Sequence, residues 1–178
     1  TTTDDDVAGF TVTETGGSTG VNESGTTDLF TIVLNTQPDS DVVLSITSSD
    51  TDEATVDSLI QFTSANWDTP QNVTVTGVDD GIIDGTQTST ITITVVDAIT
   101  DDDFDSVADQ TVSVTTADDD VAGFTIAETG GSTGVDESGN TDIFTVVLNA
   151  EPSSNVVLNI SSSDTSEATV TSSLTFTS

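Results

Sequence analysis

The sequence predicts an all-β chain built from tandem immunoglobulin-like antiparallel β-sandwiches. Three observations support this prediction: apolar residues alternate with Thr, Ser and Asn along many short segments, turn-forming clusters separate those segments, and a long stretch of sequence occurs twice. Alternation with a period of two indicates a strand that buries one face, and about seven or eight short strands per repeat are typical of a sandwich.

The alternation predicts where each strand begins and ends. It is clear at Phe30, Ile32 and Leu34, where polar residues separate the apolar ones. We expect strands near 8–14, 28–35, 41–48, 53–57, 59–63, 71–78, 88–97 and 110–116. Turns follow at GGSTG, NTQPDSD, SANWDTPQ and DDGIIDG, which contain the residue types that turns favour. Trp67 falls in one of these turns, and we expect it to close one end of the core.

The second copy is a close duplicate of the first. DDDVAGFT begins at Asp4 and again at Asp118, and residues 4–64 differ from residues 118–178 at 17 of 61 aligned positions. We therefore expect three parts: 1–6 as the tail of a preceding repeat, 7–120 as a complete sandwich, and 121–178 as the N-terminal half of a second, truncated repeat. Whether another chain completes that half is left open by the sequence.

The composition excludes several classes of function. The 178 residues include 32 Asp and Glu but no Lys, Arg, His or Cys, so the net charge is -32. No ordinary catalytic base or thiol is present, and acids on exposed turns lack the apolar pocket that a carboxylate pair needs for catalysis. We therefore do not expect an enzyme. A polyanion is a poor partner for nucleic acid, and no apolar run reaches the roughly 20 residues of a membrane span.

Acidic residues gather at the predicted strand ends that can share one pole of a sandwich. They are Glu23, Asp50, Asp79, Asp80, Asp84, Asp118, Asp119 and Asp120. Like charges about 4 Å apart repel by roughly 4 kcal/mol at an effective dielectric constant near 20. Oxygen ligands without His or Cys favour Ca²⁺ or Mg²⁺, and flexible loops favour the larger Ca²⁺. The competing interpretation is that each acidic run is a solvated turn.

Three segments contain most of these acids: DDDVAGF at 118–124, VNESG at 21–25 and GVDDGIID at 77–84. Together they resemble the Calx-beta domain of sodium/calcium exchangers and bacterial surface proteins. The resemblance implies calcium ligands at Glu23, Asp79, Asp80, Asp84 and Asp118–Asp120, with Asp50 or Asp52 filling the remaining loop position. Two departures leave the number of ions open: no Asp-Tyr pair precedes the strand that ends at Phe62, and Gln87 stands where a further Glu is usual.

The same matching extends beyond the complete repeat. It implies ligands at Glu137 and Asp164 of the second copy, and it assigns Asp4, Asp5 and Asp6 to a preceding domain. The stretch TSANWDTPQNVTVTGVDD is similar to modules of very large bacterial adhesins, which implies an extracellular or cell-surface location.

Two functions follow from these expectations. The first is a calcium-rigidified rod or filament of repeats, whose partners are calcium ions, neighbouring repeats and other copies in a filament. The alternative is an adhesion module that binds glycan or protein through loops such as GGSTGVNESG.

Overall fold

The computed structural model of the chain describes residues 6–178, in two compact units. The first contains residues 6–80 and 84–119, and the second contains residues 81–83 and 120–178. The predicted tail at 1–6 lies, except for Asp6, outside the described residues. The predicted repeat boundaries stay predictions.

Two antiparallel sheets face each other in the first unit. The four-stranded sheet has the order β1-β3-β7-β5, formed by β1 (Phe10–Glu14), β3 (Thr27–Leu34), β7 (Gln71–Gly77) and β5 (Ala54–Val56). The five-stranded sheet has the order β2-β9-β8-β4-β6, formed by β2 (Thr19–Asn22), β9 (Gln110–Ala117), β8 (Gln87–Val95), β4 (Val42–Ser48) and β6 (Leu59–Phe62). All pairings are antiparallel except that of β2 with β9. The predicted immunoglobulin-like, all-β sandwich is confirmed.

The core follows the alternation seen in the sequence. Phe30 and Ile32 of β3 are fully buried, as are Ile91 and Ile93 of β8 in the facing sheet. Burying a side chain of this size stabilises the fold by about 1.5–3 kcal/mol. Trp67 is half-buried and packs against this core. That it closes one end of the core stays a prediction.

The strand β2 is the one strand of the first unit, as described, that the predicted map lacks. It has only four residues, Thr19–Asn22, and one of them is Gly20. Such a segment is too short to show the period-two alternation of apolar and polar residues. Its parallel pairing with β9 fixes it at the edge of the five-stranded sheet. Glu23 therefore begins the turn between β2 and β3, beside the end of β9.

The second unit contains two separate two-stranded sheets. One is formed by β10 (Phe124–Glu128) and β11 (Phe144–Leu148), and the other by β12 (Val156–Asn159) and β13 (Ser173–Phe176). Throughout 121–178, all of which is described, every side chain stays partly or fully exposed. Within 6–178, no helix is both long enough and apolar enough to cross a membrane.

Candidate metal centre

Glu23 is turned into the first unit by the strand that precedes it. Side chains two residues apart lie on the same face of an extended chain, and Val21, two residues before Glu23, belongs to the core. The Glu23 amide donates a hydrogen bond to the Ala117 carbonyl at 3.1 Å, which ties this point to the end of β9. The Glu23 side chain is only 1% exposed as a result.

The Glu23 carboxylate lacks the partners that a buried charge requires. Neither of its oxygens has solvent contact or a hydrogen bond of normal geometry with any described residue. Burying an ionised carboxylate without such partners costs several kcal/mol or more, and proteins avoid this cost through pairing or metal coordination. Because the sequence contains no Lys or Arg, no side-chain cation of this chain can provide the pairing.

Glycine at position 77 allows β7 to pass close to the Glu23 segment. A Cβ atom on Gly77 would lie 2.0 Å from the Asn22 carbonyl oxygen, far inside van der Waals contact. The Gly77 amide donates to the Thr26 carbonyl at 3.0 Å. The end of β7, and the acidic loop that follows it, are thereby held beside Glu23.

Glu53 lies in the turn before β5, the edge strand of the four-stranded sheet. Its backbone carbonyl accepts hydrogen bonds from the Val78 amide at 2.9 Å and from the Thr116 hydroxyl at 3.3 Å. Glu53 is therefore held between the ends of β7 and β9, where it is 8% exposed. Its Oε2 is buried without a hydrogen-bond partner among the described residues.

Three carboxylates converge at this end of the first unit. One oxygen from each of Glu23, Glu53 and Asp84 lies within 4.8 Å of the others. Oxygens that share one Ca²⁺ lie about 2.3–2.6 Å from the ion, and so up to about 5 Å from one another. The spacing fits a single hard cation. Asp84 is exposed, which leaves one side of the cluster open to water as a further ligand.

The electrostatics of the cluster favour a bound cation. Burial raises the pKa of Glu23 to about 7, the backbone amide of Asp119 opposes this, and the charges of Asp118, Asp80 and Asp84 add to it. Burial likewise raises the pKa of Glu53, with additions from Asp84, Asp50, Asp80 and Asp52. A dication would offset the cost of burying the two charges and neutralise the repulsion that adds to both shifts.

The predicted ligands divide into three groups. Glu23 and Asp84 are brought together in the cluster. Asp50, Asp80 and Asp118 lie near enough for their charges to raise a neighbouring pKa, and Asp118 Oδ2 also accepts a hydrogen bond from the Gly85 amide at 2.8 Å.

Asp79, Asp119 and Asp120 complete the predicted set. Asp79 is exposed, and Asp119 acts on Glu23 through its backbone amide. Asp120 begins the second unit, so its assignment as a ligand stays a prediction.

Glu53 is the cluster member that the predicted ligand set omits. The strand map includes it in the segment 53–57, which assigns its side chain to a sheet face. In the structure the strand begins one residue later, at Ala54, and Glu53 lies in the turn. A signal was present in the sequence, because Glu53 recurs unchanged as Glu167 while neighbouring Asp52 becomes Ser166.

Comparison with known proteins finds similarity among solved structures alone. No family model and no curated protein matches the sequence. Among solved structures, it is similar to SSP-19, an MSP-domain protein like family member of Caenorhabditis elegans, with 16% identity over 57% of this chain and 92% of that one, at a TM-score of 0.37.

Two further solved structures come from chaperone systems. The E. coli chaperone DraB has 9% identity over 85% of this chain and 91% of that chain, with a TM-score of 0.45. A chain of the chaperone-tip adhesin complex of CFA/I fimbriae has 8% identity over 94% and 82%, with a TM-score of 0.42. At these values no function is carried over, and the assignment as a β-sandwich rests on the sheets themselves.

Proposed function

We propose that this chain is a calcium-binding structural repeat of an extracellular or cell-surface protein. The observation that carries the proposal is the Glu23 carboxylate, which is buried, has no hydrogen bond of normal geometry to any described residue, and lies with Glu53 and Asp84 in a cluster of ion-sized spacing. A cation strongly stabilises the ionised form of a carboxylate in such a position, and without a cation that form is strongly unfavourable.

The chemistry of the site favours calcium over other metals. Every candidate side chain is a carboxylate, which disfavours zinc and copper because those ions prefer nitrogen or sulfur ligands. Magnesium requires near-ideal octahedral geometry and keeps most of its water, whereas Ca²⁺ accepts six to eight oxygens in irregular arrangements. Ligands contributed by turns after several strands suit the more permissive ion. The resemblance of 21–25, 77–84 and 118–124 to the Calx-beta domain supports the same choice.

The role we propose for the ion is mechanical. The acidic run 118–120 follows β9 and leads into the second copy of the sequence without an intervening linker. Ions held by this run and by the Glu23 cluster would bind only the ordered arrangement, so they would stabilise it by linkage and restrict bending. A series of such repeats would form a stiff rod, which suits the surface location implied by the adhesin-like segment.

Calcium titration by calorimetry tests the binding part of this proposal. Glu23→Gln removes a charge from the cluster with little change in volume, and we expect it to weaken calcium binding by at least about tenfold. Asp109→Asn is the control, because it removes one charge from an exposed position just before β9, at the opposite end of that strand from the Glu23 cluster. Equal affinities in the two variants, or an affinity for Mg²⁺ that matches that for Ca²⁺, would contradict the proposal.

Small-angle scattering tests the mechanical part. We expect a polypeptide with two complete repeats to show a longer maximum dimension and a narrower distribution of shapes with calcium than with a chelator. Unchanged dimensions under the two conditions would reject the rod while leaving the binding result intact.

A further inference from the structure

The acidic loop between β7 and β8 is divided between the two units. Asp80 and Asp84 belong to the first unit, whereas Gly81–Ile83, which lie between them, belong to the second. These three residues form the tip of the turn DDGIIDG. Ile82 and Ile83 are 42% and 47% exposed, and neither belongs to the core of the first unit. Two adjacent isoleucines at the tip of an acidic loop indicate a contact surface.

Within the second unit, this tip contacts the turn between β11 and β12. The Glu151 amide donates a hydrogen bond to the Gly81 carbonyl at 2.6 Å, and Ile82 forms a parallel β-bridge with Glu151. The two isoleucines also line a cavity of about 330 Å³ together with Ala150 and Ser153 of the same turn. Backbone pairing and apolar contact therefore act at the same place.

The turn that receives the tip faces outward in a complete repeat. Its counterpart in the first unit connects β3 to β4, and there Gln37, the equivalent of Glu151, is exposed although the core of that unit is complete. Asp39, the equivalent of Ser153, is exposed as well. The contact at Glu151 therefore does not depend on the open core face of the second unit.

We propose that Gly81–Ile83 is the surface by which one repeat holds the next, and that its partner is the β11–β12 turn of the following copy. Pairing of a short extended segment with exposed backbone is a general form of recognition, in which main-chain hydrogen bonds give affinity and side-chain contacts give specificity. The chain has 32 acids and no Lys or Arg. A contact made by backbone groups and isoleucines avoids the repulsion that acids bring to an interface in such a chain.

Calcium should strengthen this contact, an expectation that rests on the proposed function. Asp84 belongs to the Glu23 cluster and directly follows Ile83 in the chain. An ion that fixes Asp84 restricts the neighbouring tip, so less conformational freedom is lost when the tip pairs with Glu151. Binding of the ion and pairing of the tip then favour each other by the same factor.

Residue-resolved hydrogen exchange on the intact chain, first in chelator, tests the contact. We expect the Glu151 amide to exchange at least about tenfold more slowly than an unstructured peptide. The double variant Ile82→Ser with Ile83→Ser should remove most of this protection. The Asn149 amide of the same turn, which donates to the Gly123 carbonyl at 3.0 Å, should keep its own protection in that variant.

The control is a second double variant, Leu59→Ser with Ile99→Ser. It removes two apolar side chains of the first unit that are 61% and 63% exposed, and it should leave the Glu151 amide protected. Equal loss of protection in the two double variants would overturn the contact. A Glu151 amide that exchanges like an unstructured peptide in the unmodified chain would overturn it too.

Addition of calcium separates the contact from the metal. We expect the protection of the Glu151 amide to rise at least about threefold with calcium, and Glu23→Gln should abolish this rise. If protection does not change while calorimetry still shows calcium binding, the coupling is wrong and the proposed function stands. If calorimetry shows no calcium binding, the proposed function fails, and the contact measured in chelator is unaffected.

Discussion

The two copies of the duplicated sequence share their local structure and differ in their burial. Phe10 pairs with Leu34 across β1 and β3, and Phe124 pairs with Leu148 across β10 and β11 in the same register. The glycine turn after each first strand has the same conformation, with φ of 74° at both Gly16 and Gly130. Leu29 is partly buried, while its equivalent Ile143 is 65% exposed.

This contrast separates what nearby sequence determines from what distant strands determine. Strand pairing between close neighbours and turn conformation occur in both copies, because they depend on alternation and glycine. The buried core and the convergence of Glu23 with Glu53 and Asp84 occur only where β7, β8 and β9 are present. Equivalent substitutions in the two copies should therefore have unequal effects.

The largest difference is expected at the core phenylalanines. Phe30→Ala removes a fully buried ring, and we expect it to lower the free energy of unfolding of the first unit by about 3–5 kcal/mol. Phe144→Ala, at the equivalent and partly exposed position, should leave that transition unchanged. Urea unfolding followed by Trp67 fluorescence reports on the first unit alone. Equal shifts for the two variants would contradict the account.

The next largest effect is expected in the way that the stability of the metal-free protein depends on pH. The Glu23 pKa rises from 4.5 to about 7 on folding, so the folded state holds a proton that the unfolded state releases. Its contribution to stability is therefore fully present below pH 4.5 and is lost as the pH rises through 7. The shift corresponds to a loss on the order of 3 kcal/mol.

Unfolding in chelator at a series of pH values checks this dependence. Glu23→Gln should flatten the decline between pH 4.5 and 7, and Glu137→Gln should not. Added calcium should also flatten it, because the ion takes the place of the proton. A decline that persists unchanged in Glu23→Gln would assign it to other acids.

A smaller loss of stability is expected at Gly77, where β7 passes close to the segment that carries Glu23. Gly77→Ala forces a Cβ against the Asn22 carbonyl, and we expect a loss of about 1–3 kcal/mol together with weaker calcium binding. In the second copy, Gly134→Ala introduces a Cβ with no neighbour within 4 Å and should be neutral. Thermal melting with and without calcium measures both quantities, and a neutral Gly77→Ala would refute the positioning role.

The smallest effect lies at Asp101, which supports the first unit through hydrogen bonds and not through a cation. Its Oδ2 accepts from the Ser40 amide at 2.7 Å and its Oδ1 from the Asp103 amide at 3.1 Å. These bonds, chiefly the one from Ser40, lower the pKa of Asp101. Its contribution is thus present above its unfolded pKa and is lost as the pH falls toward the folded value.

Removal of this acceptor should lower stability by about 1 kcal/mol. Asp101→Ala should have this effect at neutral pH and a smaller effect in strong acid, as measured by urea unfolding at both values. Asp109→Ala, at an exposed position before β9, is the control. A larger loss of stability in acid than at neutral pH would contradict the lowered pKa of Asp101.

Most of the fold could be predicted from alternation alone. The eight predicted strands of the first unit are present with small shifts at their ends, because each contains several apolar residues at a period of two. The short strand β2 could not be predicted, since the parallel pairing of Thr19 with Val114 that fixes it joins residues far apart in the sequence.

The candidate site could be predicted in part. Asp84 and Glu23 were recognisable because each lies near an end of a predicted strand: Asp84 follows the strand at 71–78, and Glu23 precedes the strand at 28–35. Glu53 was not recognised as a ligand, because one residue decides whether it belongs to a strand or to the preceding turn. Its burial depends on hydrogen bonds from Val78 and Thr116, and such long-range contacts have no local pattern.

The central claim is that the buried acids at this end of the complete sandwich coexist by sharing a dication. Anomalous X-ray scattering from crystals grown with calcium tests it most directly. We predict a peak about 2.3–2.6 Å from carboxylate oxygens of Glu23, Glu53 and Asp84. A map that showed these three carboxylates in the same arrangement, without a peak among them at saturating calcium, would contradict it.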